Sequence, residues 1–237
     1  MAAIGSATPF PATSPDDASR WLRLLAPMPL LTLVGPLDGI RADIEQHLAA
    51  RYQSSYGARL THFLPWFLTL ECLGALTGVV GMQAADDSPL FLERYLERPV
   101  ESTLAQGLGQ PVPRGALVEI GNLVAAKGGA SQLLFLLFTA ILHEAGYEWI
   151  VFTATRSLRN NLEKLGFPLL ELQRVEPRRL QPELLAQWGS YYQTEPVVMA
   201  GSLAAAMELS AAQPLFRQVL RLYQGQIRAL AAQLKRV

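Results

Sequence analysis

Along the chain, short apolar runs with the two-residue period of a strand alternate with segments of helical spacing. "PLLTLVGPLDG", from Pro29, reads as a strand that ends at Gly35-Pro36. "IRADIEQHLAARYQSSYGA" puts Ile40, Ile44, His47, Leu48 and Tyr52 at helical spacing and stops at Gly57. "WFLTLECLG" and "LTGVVGMQAA" read as two strands of a hairpin that turns near Gly74. "SPLFLERYLERPVE" reads as a short helix capped by Ser88, with Pro99 beyond its end. "ALVEIGNLVA" is a strand with a glycine, Gly121, in its middle, where a bulge is expected. An apolar helix covers 129–145 and closes at Gly146. "YEWIVFTAT" is a buried strand, "TRSLRNNLEKLGF" a helix capped by Thr155 or Ser157, and "LLELQRV" a further strand. "WGSYYQTEPVVMAGS" reads as a loop, and the chain from Leu203 on is mainly helical.

The central order strand–helix–strand–helix–strand predicts an α/β fold with right-handed crossovers between neighbouring parallel strands. The hairpin before it makes the central sheet mixed, with helices flanking it. Three regions follow: a Pro-, Ser- and Thr-containing leader over 1–29, a main domain over 30–202, and an amphipathic C-terminal helix over 203–237. In that last region Leu215, Val219, Leu222, Ile227, Leu230 and Leu234 approximate one face, and Arg217, Arg221, Arg228, Lys235 and Arg236 supply positive charge. Such a helix packs on the sheet or on a second copy in a homodimer, or it makes a peripheral membrane contact.

Composition narrows the classes. Half of the 237 residues are apolar, enough for a sizeable core. Twenty basic residues balance twenty acidic ones, so no global electrostatic footprint for nucleic acid exists. The single cysteine, Cys72, lies in an apolar strand and reads as a core thiol. With no intramolecular disulfide possible, and no basic and apolar signal segment at the N-terminus, the expected compartment is the cytoplasm. The longest apolar run, Leu133 to Leu142, is shorter than the ~20 residues that span a bilayer. His47, His62 and His143 are scattered without carboxylates at ligand spacing, so no metal is expected.

The candidate chemistry centres on "VEIGNLVAAKGGASQLLF", Val118 to Phe135. Gly128 and Gly129 precede a helix whose first N–H groups are unpaired, and Lys127 stands beside the turn. That is either a tight turn or a cradle for phosphate. Glu119 interrupts an otherwise apolar strand and is the candidate general base, its pKa raised by burial, or else it is solvated or paired with an arginine such as Arg114. A bulge at Gly121 would bring Asn122 onto the Glu119 face, to bind substrate or to satisfy the bulge. Tyr56 is a candidate proton donor or pocket wall. Arg159 and Asn160 follow the "FTAT" strand, and Tyr191 belongs to an aromatic cluster that can line an acyl tunnel. Glu93, Glu97 and Glu101 form an acidic stripe, from which Glu101 is a candidate for the substrate site.

Two resemblances add to this reading. "LRNNLEKLGF" and the glycine turn resemble Gcn5-related acyltransferases, whose helix N-terminus binds the pyrophosphate of a coenzyme A thioester. In that pattern Gly128-Gly129-Ala130 fits the glycine half, Ala125 stands at the usual Arg or Gln, and Leu162 stands at the usual Tyr. The resemblance implies cofactor contacts from Leu123, Val124, Ala125, Lys127, Gly128, Gly129, Ala130 and Asn160. Five longer strings, "SSYGARLTHFLP", "LFLERYLERPVE", "VEIGNLVA", "WIVFTATRSLRN" and "WGSYYQTEPVVMAG", resemble the thermostable haemolysin family. That family implies a GNAT-like fold related to the acyl-homoserine-lactone synthases, which carry Arg where this chain has Asn122.

What these resemblances imply is transfer of an acyl group, fatty acyl by the apolar setting, from acyl-CoA or an acyl carrier protein to the amine of a small molecule. The other implied activity is direct membrane lysis through the C-terminal helix and apolar surface.

Overall fold

The computed structural model describes residues 28–86, 88–126, 130–164 and 166–235. The expectations for the leader up to residue 27, and for Lys127, Gly128 and Gly129, lie outside the described residues. The chain begins with β1 (Leu30–Val34), α1 (Arg41–Tyr56), β2 (Trp66–Cys72), β3 (Ala75–Ala84), α2 (Val100–Leu108) and β4 (Leu117–Ala125). It continues with α3 (Ala130–Ala145), β5 (Trp149–Ala154), α4 (Arg156–Lys164), β6 (Leu169–Arg174), α5 (Pro182–Gln187) and β7 (Val197–Ser202). It ends in α6 (Leu203–Ala212), α7 (Pro214–Leu222) and α8 (Gln224–Leu234).

One seven-stranded mixed sheet has the order β1-β2-β3-β4-β5-β7-β6. The first four strands are an antiparallel meander, β4 and β5 are parallel across the α3 crossover, and β7 runs antiparallel to both β5 and β6. The expected parallel contact between β5 and β6 is therefore replaced by β7, in the segment read as a loop. Val197, Val198, Met199 and Ala200 are all buried, because a central strand covered on both faces shows no alternation.

Two further expectations are corrected. The helix expected over Ser88 to Glu101 is a 3-10 turn at Phe91–Tyr95 followed by α2, with Pro99 as the N-cap residue of α2 and not a stop. Pro suits a helix start, where its missing N–H costs nothing. The single C-terminal helix is three helices, with breaks at Gln213-Pro214 and at Tyr223.

One sheet face carries α3 with α6, α7 and α8. α3 is buried without interruption from Leu133 to Leu142, as a helix apolar all round requires. Val219, Ile227, Leu230 and Leu234 of the C-terminal helices join Phe138, Phe152 and Met199 in one core. The apolar face expected to meet lipid is thus largely packed against the protein, although Leu222 stays exposed. No helix among the described residues is long and apolar enough to cross a membrane. The opposite sheet face holds α1 over β1 to β3, and α2 with α5 over β5 to β7. Cys72 is half-buried at the end of β2, where the Thr77 hydroxyl donates to its sulfur at 3.3 Å.

Tyr223, at the break between α7 and α8, is fully buried, and its hydroxyl donates to the Pro29 carbonyl at 3.1 Å. Tyr223→Phe is expected to cost about 1 kcal/mol, which thermal unfolding would register as a Tm lower by about 2–4 °C.

Candidate active site

β4 and β5 pair only through Leu117–Ile120 against Trp149–Phe152. Beyond that point β4 follows β3 to Ala125, while β5 follows β7 to Ala154, and the two strands part. A cavity of about 190 Å³ fills the resulting V. Its β4 side is Glu119, Gly121, Asn122 and Leu123; Phe152, Thr153 and Thr155 come from β5 and the residue after it. Val80, Ile120, Phe135 and Leu158 make its apolar floor.

Strand alternation sends Val118 and Ile120 into the α3 core and Leu117 and Glu119 to the other face. There Glu119 is 5% exposed and meets the start of the Phe91–Tyr95 turn. Its Oε2 accepts the Phe91 N–H at 2.7 Å and its Oε1 the Leu92 N–H at 3.1 Å. Those donors are the unpaired N–H groups that every helical turn leaves at its start. Burial raises the Glu119 pKa, and the two N–H bonds offset this only in part, leaving it at about 7. A carboxyl near neutrality can take a proton and release it again at working pH.

The turn that holds Glu119 is itself held by Arg114. Its guanidinium donates to Glu93 at 2.8 and 3.0 Å, to Glu101 at 2.6 Å and to the Ala85 carbonyl at 2.8 Å. Arg114 is thus paired with Glu93 and Glu101 and not with Glu119, and Glu101 stands outside the cavity lining. Glu97 pairs separately with Arg179 at 2.8 Å. At Glu93 burial alone would raise the carboxyl, but Arg114 and the N–H groups of Val100 and Leu90 outweigh it and hold the pKa at about 2. Since the folded value lies below the usual 4.5, this contribution is complete above pH 4.5 and is lost as the pH falls toward 2. Arg114→Met is expected to cost about 2 kcal/mol. In urea titrations the difference from the wild type should shrink below pH 4 as Glu93 is protonated.

The bulge lies at Asn122. Val79 pairs with Val124 and Gly81 with Gly121, so β4 carries one extra residue there. Asn122 takes φ 46°, a left-handed conformation that Asn tolerates better than most residues. Its Oδ1 accepts the Leu64 N–H at 2.8 Å, anchoring the segment between α1 and β2. Arg41 clamps the same segment through the carbonyls of Leu64 and Pro65. That segment delivers His62, which stacks on Phe91 with centroids 5.2 Å apart. Burial and then Arg94 lower the His62 pKa, so its imidazole is neutral at neutral pH.

An aromatic wall closes the V. Tyr52 and Tyr56 come from α1, and Trp188 and Tyr191 from the segment after α5. Tyr56 and Tyr191 meet edge to face at 5.3 Å, and Trp188 lies 5.0 Å from Tyr191 and 5.9 Å from Phe91. Burial pushes the phenols of Tyr52, Tyr56 and Tyr191 up, so all three stay protonated. Ser190 joins the two halves of the wall, with its N–H and hydroxyl both donating to the Tyr56 carbonyl, at 2.8 and 3.1 Å.

Glu119, Asn122, Leu123, Tyr56 and Tyr191 therefore come together. Val124 and Ala125 line a groove with Arg51 and Ser55 that shares Tyr52, Tyr56 and Leu123 with the cavity. Ala130 is buried in the core at the start of α3, and Leu162 is buried there too. Arg159 and Asn160 line a separate groove with Glu163 and Glu171. Trp188, from the aromatic cluster expected to be able to line an acyl tunnel, does line the cavity; His62, Tyr52, Phe91 and Thr153 line it too without having stood out in the sequence as site residues. His62 does lie inside one of the family-like strings, "SSYGARLTHFLP". Among the described residues no group of three His, Cys, Asp or Glu side chains is placed to hold a metal.

A sheet whose parallel strands part around a bulge places the molecule among GNAT-like folds. The synthase BjaI, named as a CoA-dependent acyl-homoserine lactone synthase and solved with SAM and isopentyl-CoA, superposes with a TM-score of 0.51 at 10% identity. The match covers 78% of this chain and 90% of that one. FeeM, an N-acyl amino acid synthase from uncultured soil microbes, gives 0.50 at 13% identity over 80% and 98%. The acyl-homoserine lactone synthase LasI gives 0.50 at 10% identity over 74% and 90%. No curated protein matches the sequence. Residues 34–207 match the thermostable hemolysin family, and the chain belongs to that family.

Proposed function

We propose that this chain is an acyltransferase that moves a fatty acyl group from a thioester of coenzyme A, or of an acyl carrier protein, to the amine of a small-molecule acceptor. The observation that carries the reading is a buried carboxyl, poised at about pH 7, beside the point where two parallel strands part. Two proteins sharing the fold are named as a CoA-dependent acyl-homoserine lactone synthase and an N-acyl amino acid synthase, which supports the reading.

A thioester is already activated, so the protein must position two partners and manage protons. Beyond Ile120 the β4 edge is free of β5, and an unpaired edge offers N–H and C=O groups to an extended, amide-bearing thioester arm. Glu119 takes one proton from the acceptor ammonium. The neutral nitrogen then attacks the thioester carbon, the C–N bond forms and the C–S bond breaks. The Leu123 N–H beside the Asn122 bulge is taken by the Tyr52 phenol oxygen, so the other backbone N–H groups at the bulge are the candidate donors to the developing oxyanion. Tyr56 donates its proton to the departing sulfur and recovers one from the nitrogen. The products are an amide, a free thiol and a proton that Glu119 releases to water.

The test is direct. Purified protein is incubated with acyl-CoA and acyl-carrier thioesters of graded chain length and with pooled amines, and products are read by mass spectrometry. Amide formation is expected. If no thioester is bound or consumed, the reading is wrong.

A further inference from the structure

We propose that the acceptor is an organic amine without a carboxylate, a compact cation whose apolar or aromatic body rests on the aromatic wall. The inference builds on the transferase reading and names the class of its second substrate. Among the described residues, the cavity lining contains no arginine or lysine, and its one acidic residue is Glu119. An ammonium entering the V meets that carboxyl and a wall of the aromatic rings of Tyr52, Tyr56, Trp188 and Tyr191, residues whose π-systems attract a cation.

An amino acid would bring its carboxylate into the same space. That group would lose its hydration beside another carboxyl, with no arginine or lysine among the described lining residues to repay the loss. His62 does not supply the charge, because its imidazole is neutral at neutral pH. Arg94 does not line the cavity. Its guanidinium sits 4.7 Å from the centroid of Phe91, the ring on which His62 stacks. Arg114 is committed to Glu93 and Glu101.

The experiment uses matched pairs that differ only by the carboxylate: phenethylamine and phenylalanine, tyramine and tyrosine, putrescine and ornithine. Each is offered to the full chain with the best thioester. We expect kcat/KM to favour the decarboxylated member by roughly 100-fold or more, as an uncompensated buried charge demands. Amine binding is measured separately, without thioester, as a change in tryptophan fluorescence that Trp188→Phe abolishes. Amines that bind while their amino acids do not support the proposal even if no thioester reacts, and the transferase reading alone would then fail. Amino acids that react or bind as well as their amines overturn the proposal and leave the transferase intact. Failure of every amine to bind also overturns it.

Discussion

Glu119→Gln is expected to lower kcat by about 10²- to 10⁴-fold, the usual contribution of a positioned general base. The variant keeps the shape of the side chain and an oxygen for one of the two N–H groups that Phe91 and Leu92 present. The loss would therefore report proton transfer and not collapse of the turn. The wild-type rate should climb with pH to a plateau, with a midpoint near 7, because only the ionised carboxylate accepts a proton. In the variant that limb should vanish. Stability carries the same signature with its own sign. The folded carboxyl titrates at about 7 and the free one at 4.5, so the folded state holds its proton longer. The stabilisation this provides is complete below pH 4.5 and is lost as the pH rises through 7, about 3 kcal/mol in all. The stability of wild type relative to Glu119→Gln should fall across that window in denaturant titrations. Unchanged turnover in the variant would remove Glu119 from the chemistry.

Gly189→Ala is expected to cost more than about 3 kcal/mol and to abolish amine binding. Gly189 has φ 54°, in the left-handed region, and a Cβ there would stand 2.1 Å from the Tyr56 carbonyl oxygen. That oxygen already accepts both bonds from Ser190. Relief would require the Trp188–Tyr191 segment to lift away from the end of α1. The effect would thus reach stability and the aromatic wall together. Urea unfolding gives the first, and tryptophan fluorescence in the presence of an amine gives the second. A variant as stable as the wild type would mean that the segment is looser than its contacts indicate.

The sequence pattern yields most strands because they alternate or run apolar between turn residues. It yields α3 because ten successive buried positions admit no other reading at that length. β7 is hidden because "VVMAGS" follows a proline and ends in small residues, and its partner on each side comes from a distant part of the chain. α2 is hidden because a proline at a helix start and a proline past a helix end look alike in one dimension. Of the candidate site, Glu119, Asn122 and Tyr56 are legible as polar or aromatic residues that break a pattern. Trp188 is legible as part of an aromatic cluster, whereas His62 and Tyr52 are not, since only tertiary packing brings α1, the Leu64 segment and the stretch after α5 to one wall. The same limit explains Glu101, whose partner Arg114 is 13 residues away and removes it from the cavity.

The position of α3 has a consequence for how the chain is made. This helix is apolar all round, and α6 to α8, the helices that cover it, follow it by more than fifty residues in the chain. A chain growing from its N-terminus can lay down β1 to β4 and α3 long before that cover exists. Until Val219, Tyr223 and Leu234 have been synthesised, the greasiest surface of the molecule stays open, and β7 is still missing from the middle of the sheet. The closing steps of folding therefore fall to residues 197–235, which put the missing strand into the sheet and cover α3.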